Sequence, residues 1–346
     1  MITIDGSMGE GGGQVLRTAL ALAMCCQQAV HIINIRAKRN KSGLMRQHLT
    51  AVQAATHICN GQTQGAAIGS QEVMFCPGEV QAGVYTFSVG TAGSTSLVFQ
   101  TVLPALMLAT GPSVLNLEGG THNPFAPPFD FIQLAFLPVL QRMGVACEAH
   151  LERFGFYPAG GGRWSVSIQS ASQLQALQLI ERGALLEYEA VAVSAGIPGH
   201  VAERELRTVG RLLDWPEDCL KHQRLAKESG PGNCLNLILR CENVTEVFTE
   251  FGQVGVRAEK VAQRCVQRVQ RYLAAPVAVA ENLADQLLLP LALAGGGAFT
   301  SLAPTQHTTT HIEVIQHFLP VRLVTEQVGE DAWRFQVRDE SKSVLA

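Results

Sequence analysis

The hydrophobic pattern of the first half of the chain predicts strands and helices in alternation. Short runs rich in β-branched residues predict strands, and longer segments with apolar residues at helical spacing predict helices. A first strand, helix, strand and helix are predicted at residues 2–4, 15–24, 30–35 and 44–59. The same order recurs at residues 85–89, 97–108, 113–117 and about 131–143. Two successive copies predict an internally repeated α/β fold, with segments such as residues 71–76 adding strands to each sheet.

A third copy of the pattern is visible in two separated parts. The first part is a glycine-rich turn at residues 157–162 followed by a strand at 164–168. The second part is a helix at 281–293, a strand at 298–302 and a helix from about 309 to 318. The third copy is therefore expected to be interrupted.

The interrupting segment, residues 182–276, has a different character. It is richer in charge and has its own alternation of predicted strands and helices. Insertion is tolerated where the ends of the inserted domain lie close together. We therefore expect a large domain formed by residues 1–181 and 277–346, with a small α/β domain inserted at 182–276.

Composition and charge narrow the class of protein. Of the 346 residues, 47% are hydrophobic and 16% are charged, which excludes a disordered chain. The formal net charge of −3 argues against sequence-independent binding of long nucleic acid. Contact with nucleic acid is therefore expected to be local, as at a strand end. Nine cysteines without C-x-x-C spacing, no secretory signal and no long apolar run predict free thiols, a cytoplasmic location and no membrane partner.

The segment from Asp5 to Thr18, DGSMGEGGGQVLRT, is the first candidate binding site. A strand, a glycine turn and a helix N-terminus in this order form a site for anions, because the N–H groups of the first helical turn point at the ligand. Glu10 could hold a divalent cation, and Arg17, about one helical turn past Gly13, could reach a phosphate. The spacing matches neither the Rossmann nor the Walker A pattern, so a tight connection with a solvated glutamate is the alternative.

His307 is the candidate nucleophile. It follows the turn Ala303-Pro304 and precedes three threonines that could cap a helix. A neutral histidine nitrogen near phosphate-binding glycine loops can attack phosphorus, and the alternative is an ordinary surface or capping histidine. His311, four residues on, could share a metal with His307, but no third ligand lies nearby in the sequence.

Two further groups of polar residues could contact a ligand. One is a cationic patch formed by Arg36, Lys38, Arg39, Lys41, Arg46, Gln47 and His48. This patch would suit a terminal phosphate, and the alternative is a solvated loop. The other is polar residues in apolar helices. Gln100 either faces a ligand or satisfies a buried backbone group, and Asp285, followed by Gln286, lies near a helix start that favours an acid.

Eight segments of the chain form a composite motif. They are GEGGGQVLRTALALA, GLMRQHLTAVQAAT, GTAGSTSLVFQTVLPAL, GFYPAGGG, HVAERE, GPGN, LADQLLLPLALAGGG and APTQH, the last of which contains His307. Together, in order and at compatible spacing from about residue 2 to residue 320, they resemble the RNA 3′-terminal phosphate cyclase family. So many separate matches make the resemblance highly specific.

The resemblance implies a fold and a reaction. The fold is of the α/β (α+β) class, with three repeated units of two helices on a four-stranded sheet and an inserted small domain of thioredoxin-like topology. The reaction begins when a histidine attacks the α-phosphorus of ATP and forms a covalent histidine–AMP. The AMP then passes to the 3′-phosphate of an RNA end, and the 2′-OH closes a 2′,3′-cyclic phosphate and releases AMP.

The resemblance also implies roles for individual residues. His307 would be the nucleophile, and Glu10 would bind the divalent cation, Mg²⁺ or Mn²⁺. The nucleotide would be held by Gln100, Asn282, Leu283, Ala284, Asp285 and Gln286. Phosphates of ATP or of the RNA end would be bound by Arg17, Arg39, Arg46 and Gln47.

The chain departs from the family at two positions. Asn282 stands where an aromatic residue is expected to stack on adenine, and TTTH follows the histidine where the family more often has Thr-Asn. Either change could weaken nucleotide affinity or alter nucleotide preference.

Two other functions remain open. A cyclase-like, non-catalytic factor in RNA processing or ribosome assembly would be expected to lack the nucleophile, whereas His307, Glu10 and Arg17 are all present. A transferase resembling enolpyruvyl transferases would share the repeated architecture without needing a histidine nucleophile. RNA 3′-phosphate ends and ATP are the expected partners, and no obligate protein partner is inferred.

Overall fold

The structure is a computed structural model that describes residues 1–340, apart from the side chain of Glu228. Its strands form four sheets of four strands each. The first sheet contains β1 (Ile2–Asp5), β2 (Val30–Ile33), β3 (Gln62–Gln64) and β4 (Val73–Cys76). The second contains β5 (Val84–Ser88), β6 (Ser113–Gly119), β7 (Cys147–Arg153) and β8 (Gly162–Ile168). The orders are β1-β2-β4-β3 and β5-β6-β8-β7, each a parallel pair followed by two antiparallel pairings.

The third sheet is assembled from distant parts of the chain. The remaining strands are β9 (Leu177–Leu179), β10 (Leu185–Ala195), β11 (Leu220–Arg224), β12 (Gly232–Cys241), β13 (Thr245–Phe251), β14 (Gly296–Ser301), β15 (Val321–Gly329) and β16 (Ala332–Asp339). The third sheet has the order β9-β14-β16-β15, again a parallel pair followed by two antiparallel pairings. Strands β10 to β13, between β9 and β14 in the chain, form a separate sheet of order β11-β10-β12-β13.

The assignment of the strand at 164–168 to the third copy is wrong. This strand is part of β8, which pairs with β6 and β7 in the second sheet. The third sheet begins instead with β9, which runs parallel to β14. Three residues are too few to show an alternating pattern, so β9 gives no signal in the sequence.

Helices cover these sheets. They are α1 (Gly13–Cys26), α2 (Arg46–Ile58), α3 (Thr95–Met107), α4 (Phe129–Phe131), α5 (Leu137–Arg142), α6 (His200–Leu213), α7 (Ala258–Ala274), α8 (Glu281–Leu293) and α9 (Gln306–Phe318). A π-helical turn, Ile132–Phe136, joins α4 to α5, and short 3₁₀ turns lie at Glu217–Cys219 and Lys227–Ser229.

Packing explains why some of these helices are apolar nearly all round. Helix α1 buries most of its positions because it contacts both α3 and α9, and α8 likewise packs against α9 and β14. By contrast, α6 and α7 are amphipathic, and their apolar faces pack on the sheet of β10 to β13. The fold thus places the starts of α1, α8 and α9 next to one another.

The cysteines and the helices bear on the redox state of the chain and on membrane insertion. None of the nine cysteines, all of which lie within residues 1–340, forms a disulfide. No helix in that range is long and apolar enough to cross a bilayer.

Candidate active site

A cavity of about 1150 Å³ lies where the helix starts meet. Its walls come from the glycine turn before α1, from α2, α3, α8 and α9, and from β13 and α7. Nine of the residues predicted to form the site line this one cavity: Glu10, Arg17, Arg39, Gln47, Gln100, Asn282, Asp285, Gln286 and His307. The structure therefore brings together residues that are far apart in sequence.

Three predicted site residues do not line the cavity. Leu283 and Ala284 are 0% and 2% exposed and belong to the hydrophobic core. Helical periodicity explains this, because the face of α8 that carries Asn282, Asp285 and Gln286 turns the two residues between them away. Arg46 is exposed at the start of α2 and lies outside the cavity.

The start of α9 presents His307 to the cavity. Thr305 is the N-cap, and its Oγ1 accepts a hydrogen bond from the N–H of Thr308 at 3.1 Å. The prediction that the threonine run caps the helix is wrong, because that run lies inside the first turns. His307 Nδ1 lies 3.0 Å from Oδ1 of Asp285, while 38% of the His307 side chain stays exposed.

Asp285 is the centre of a buried polar network. Its Oδ1 also accepts from Gln14 Nε2 at 3.0 Å and lies 3.2 Å from His311 Nδ1. Its Oδ2 accepts from Gln286 Nε2 at 3.1 Å, and Gln286 Oε1 in turn accepts from Gln100. The Gln100 side chain therefore joins α3 to α8 rather than satisfying a backbone group.

Charge in this network favours an ionised carboxylate. Burial acts to raise the pKa of Asp285, but His311 and His307 outweigh it, and the net pKa lies well below its ordinary value. An ionised carboxylate against Nδ1 of His307 favours the tautomer with the proton on Nδ1. The lone pair of Nε2 is then free to act as a nucleophile.

The glycine turn adds cationic and acidic groups to the same cavity. Arg39 Nη2 lies 3.2 Å from Oε2 of Glu10. Burial lowers the pKa of Arg17 to about 10, and Asp285 opposes that shift, so Arg17 carries its charge at neutral pH. Among residues 1–340, no cluster of three or more His, Cys, Asp or Glu could hold a metal ion.

The predicted cationic patch is smaller than the sequence suggested. Burial, together with the charges of Arg17 and Arg36, lowers the pKa of His48 to about 3, so His48 is neutral. His48 Nδ1 accepts from the N–H of Met45 at the start of α2. Arg36 donates from Nη1 to the carbonyl oxygens of Lys41 and Gly43, which holds the loop.

Glycine is required where the turn approaches its neighbours. A Cβ on Gly9, which has a φ of +50°, would lie 1.8 Å from Oγ1 of Thr310 on α9. A Cβ on Gly13 would lie 2.4 Å from Nε2 of His48. These contacts let α1, α2 and α9 converge on one cavity.

Sequence reasoning missed part of the cavity wall. One side is apolar and consists of Leu103, Pro104, Met107, Phe131, Phe136, Leu289 and Pro290. The only sequence feature that could have indicated this side of the cavity was the proline inside each of α3 and α8, Pro104 and Pro290. Gln14 was also omitted from the candidate residues, although a glutamine in an apolar helix was the kind of signal that identified Gln100. His48, named only as part of the cationic patch, also lines the cavity. Arg268 and Arg271 line the wall formed by α7, which no local pattern could reveal.

Comparisons with known proteins identify the family of the chain. The family model described as RNA 3′-terminal phosphate cyclase matches residues 8–325. A protein of that name from Ectopseudomonas mendocina is 50% identical over 337 residues, covering 97% of this chain and 98% of the relative. Relatives with the same name from Pseudomonas fluorescens and Koribacter versatilis are 51% and 50% identical, covering 97% and 93% of this chain and 97% and 90% of their own lengths. The chain therefore belongs to the RNA 3′-terminal phosphate cyclase family.

Proposed function

We propose that this protein converts an RNA 3′-terminal phosphate to a 2′,3′-cyclic phosphate at the expense of ATP, through a covalent AMP on Nε2 of His307. The observation that carries the proposal is the pairing of His307 with a buried, ionised Asp285 inside the cavity. Membership of the cyclase family and the names of the relatives support the overall reaction.

The first step forms a bond between Nε2 of His307 and the α-phosphorus of ATP, and the bond to pyrophosphate breaks. As the imidazole becomes positively charged, the Asp285 carboxylate stabilises it through Nδ1–H. In the second step an oxygen of the RNA 3′-phosphate attacks the same phosphorus, and the bond to His307 breaks. In the third step the adjacent 2′-OH attacks the activated RNA phosphate, loses its proton and releases AMP.

The remaining residues position charge around this chemistry. Arg17 and Arg39 neutralise phosphate oxygens, and Gln47, whose Oε1 accepts from the N–H of Ser94, lines the same part of the cavity. Asn282, Gln286 and Gln100 would contact the nucleotide. Phosphoryl transfer depends mostly on position and charge neutralisation, so this set is sufficient around one nucleophile.

Glu10 would hold a divalent cation, Mg²⁺ or Mn²⁺, together with the phosphates of ATP. A single carboxylate is consistent with Mg²⁺, which usually takes one or two protein carboxylates plus substrate phosphates. The cation would neutralise charge on the triphosphate.

We also infer that the large domain is a threefold repeat with a thioredoxin-like insert at residues 182–276. The shared order and pairing of the three sheets support the repeat, and the position of β10 to β13 between β9 and β14 supports the insert. Residues 182–276 expressed alone should fold cooperatively.

The test of the function is the intact mass of the protein after incubation with ATP and magnesium, without RNA. We expect a gain of one AMP, stable to alkali, labile to acid and lost in His307→Ala. His317→Ala, exposed at the far end of α9, is the matched control and should keep the gain. No gain in folded wild-type protein, or turnover by folded His307→Ala, would contradict the proposal.

A further inference from the structure

Basic residues recur along one face of α7. Arg257 is the N-cap, and Lys260, Arg264, Arg268 and Arg271 follow at intervals of three or four residues. This spacing places all five on the same side of the helix, over about 20 Å at 1.5 Å per residue. The adjoining side of the helix is buried and includes Val261, Cys265, Val269 and Tyr272, each one position after a basic residue.

This basic face connects two concave surfaces. Arg268 and Arg271 line the cavity that contains His307. A second, open concavity of about 670 Å³ is lined by residues from the other end of the face and by neighbours, among them Arg204, Arg257, Lys260 and Arg264. Nη1 of Arg264 lies 3.9 Å from Oε1 of Glu250, which itself lines the first cavity. The two concave surfaces are therefore adjacent.

The charge of this surface differs from that of the whole protein. Three carboxylates pair with its arginines: Glu259 with Arg204 at 2.6 Å, Glu281 with Arg271 at 2.7 Å, and Glu250 with Arg264. Six cationic side chains, the basic face together with Arg204, thus stand against three carboxylates. The net charge of −3 argued against binding of nucleic acid beyond a strand end. A net charge over the whole chain does not show a local excess of positive charge such as this one.

We propose that the basic face of α7 binds the backbone phosphates of the RNA strand just upstream of its 3′-phosphate and leads that strand from the second concavity to His307. This inference rests on the proposed function, which requires an RNA end at His307. Continuity with the catalytic cavity favours a nucleic-acid strand as the occupant, because the same molecule that enters the cavity must leave along a neighbouring surface. Phosphates along a single strand match a linear series of cations.

The test is the combined variant Arg257→Gln, Lys260→Gln, Arg264→Gln, in which none of the changed residues lines the catalytic cavity. Glutamine keeps the helix propensity of lysine and arginine. Binding of a 3′-phosphorylated RNA dodecamer, measured by fluorescence anisotropy, should weaken about tenfold or more at low salt. The dependence of log affinity on log salt should become shallower by about two, since each phosphate contact on a single strand contributes about 0.7.

Controls separate this inference from the proposed function. Formation of AMP–protein without RNA should be unchanged in the variant, as should the affinity for a 3′-phosphorylated dinucleotide. The matched control changes three exposed arginines of the third sheet, Arg322, Arg334 and Arg338, to glutamine and should leave dodecamer binding unchanged.

Three results would overturn the inference. The first is unchanged dodecamer affinity and salt dependence in the combined variant, which would show that the basic face is only solvated. The second is an equal loss of dodecamer affinity in the control variant. The third is a loss of AMP formation together with the loss of RNA binding. Absence of AMP–protein in the wild type would contradict the proposed function. Because anisotropy needs no turnover, the RNA-binding result would still decide whether the basic face of α7 binds RNA.

Discussion

Nδ1 of His307 lies 3.0 Å from Oδ1 of Asp285, a residue 22 positions earlier on a different helix. The pairing depends on two helix starts that meet at one cavity. It favours the proton on Nδ1 of His307 and leaves the lone pair on Nε2.

Asp285→Asn should slow transfer of AMP to His307 by about a hundredfold to ten-thousandfold, because a neutral amide neither fixes the Nδ1–H tautomer nor stabilises the imidazolium. Single-turnover mass spectrometry with ATP measures this rate. Glu313→Gln, an exposed carboxylate on α9, is the control and should react like the wild type. A near-normal rate in folded Asp285→Asn would show that the pairing does not assist the nucleophile.

Gly9→Ala should destabilise the glycine turn by about 1–3 kcal/mol, since alanine is strained at a φ of +50° and its Cβ would collide with Thr310. AMP formation should fall as well, because the turn positions Glu10. Urea unfolding and the mass assay measure the two effects. Gly83→Ala is the matched control, as the nearest atom to its Cβ would be 3.6 Å away. Equal stability of the two variants would contradict the prediction.

Asn282→Tyr should lower the KM for ATP roughly tenfold, because an aromatic ring at the cavity edge can stack on adenine. Preference for ATP over pyrimidine nucleotides should rise with it. Steady-state rates of AMP formation with each nucleotide measure both effects. Asn282→Leu adds apolar area without a π face, so an equal gain in that variant would attribute the effect to burial instead of stacking.

His48 should make the folded protein less stable in acid. Its pKa is about 3 in the folded state against an ordinary value of 6.5, so the unfolded state binds more protons between these values. The contribution of His48 to the free energy of unfolding should therefore fall as pH drops from 6.5 towards 3. In His48→Gln this fall should be smaller, as measured by urea unfolding across the range. An identical pH dependence of the free energy of unfolding in both proteins would show that His48 does not cause the loss of stability in acid.

Glu246 should make the folded protein less stable as pH rises, the reverse of the effect of His48. Its Oε1 accepts from the N–H of Ala280 just before α8, and burial raises its pKa from 4.5 to about 8. The folded state binds the proton of Glu246 more tightly, so the contribution of this group to the free energy of unfolding is greatest below pH 4.5 and declines as pH rises to about 8. Glu246→Gln keeps the acceptor oxygen and should reduce that decline. The same urea titrations test this, and an unchanged decline would contradict it.

The sequence predicted local features well and tertiary placement poorly. The bounds of α8 agree with the prediction, because its apolar segment ends at three glycines. The motif carried Leu283 and Ala284 into the site as part of a block, although helical periodicity separates them from Asp285. The neutrality of His48 depends on burial by residues distant in sequence, which no local pattern contains. The wall formed by Arg268 and Arg271 depends in the same way on how the insert meets the large domain.

The strand order of the third sheet has a consequence for biosynthesis. β16, the last described strand, lies between β14 and β15, and α9 with its His307 packs against β15. As a nascent chain leaves the ribosome, His307 emerges well before the strand that completes the sheet beside it. The sheet closes only after β16 has been released, so in a partly synthesised chain α9 lacks the completed sheet against which it packs.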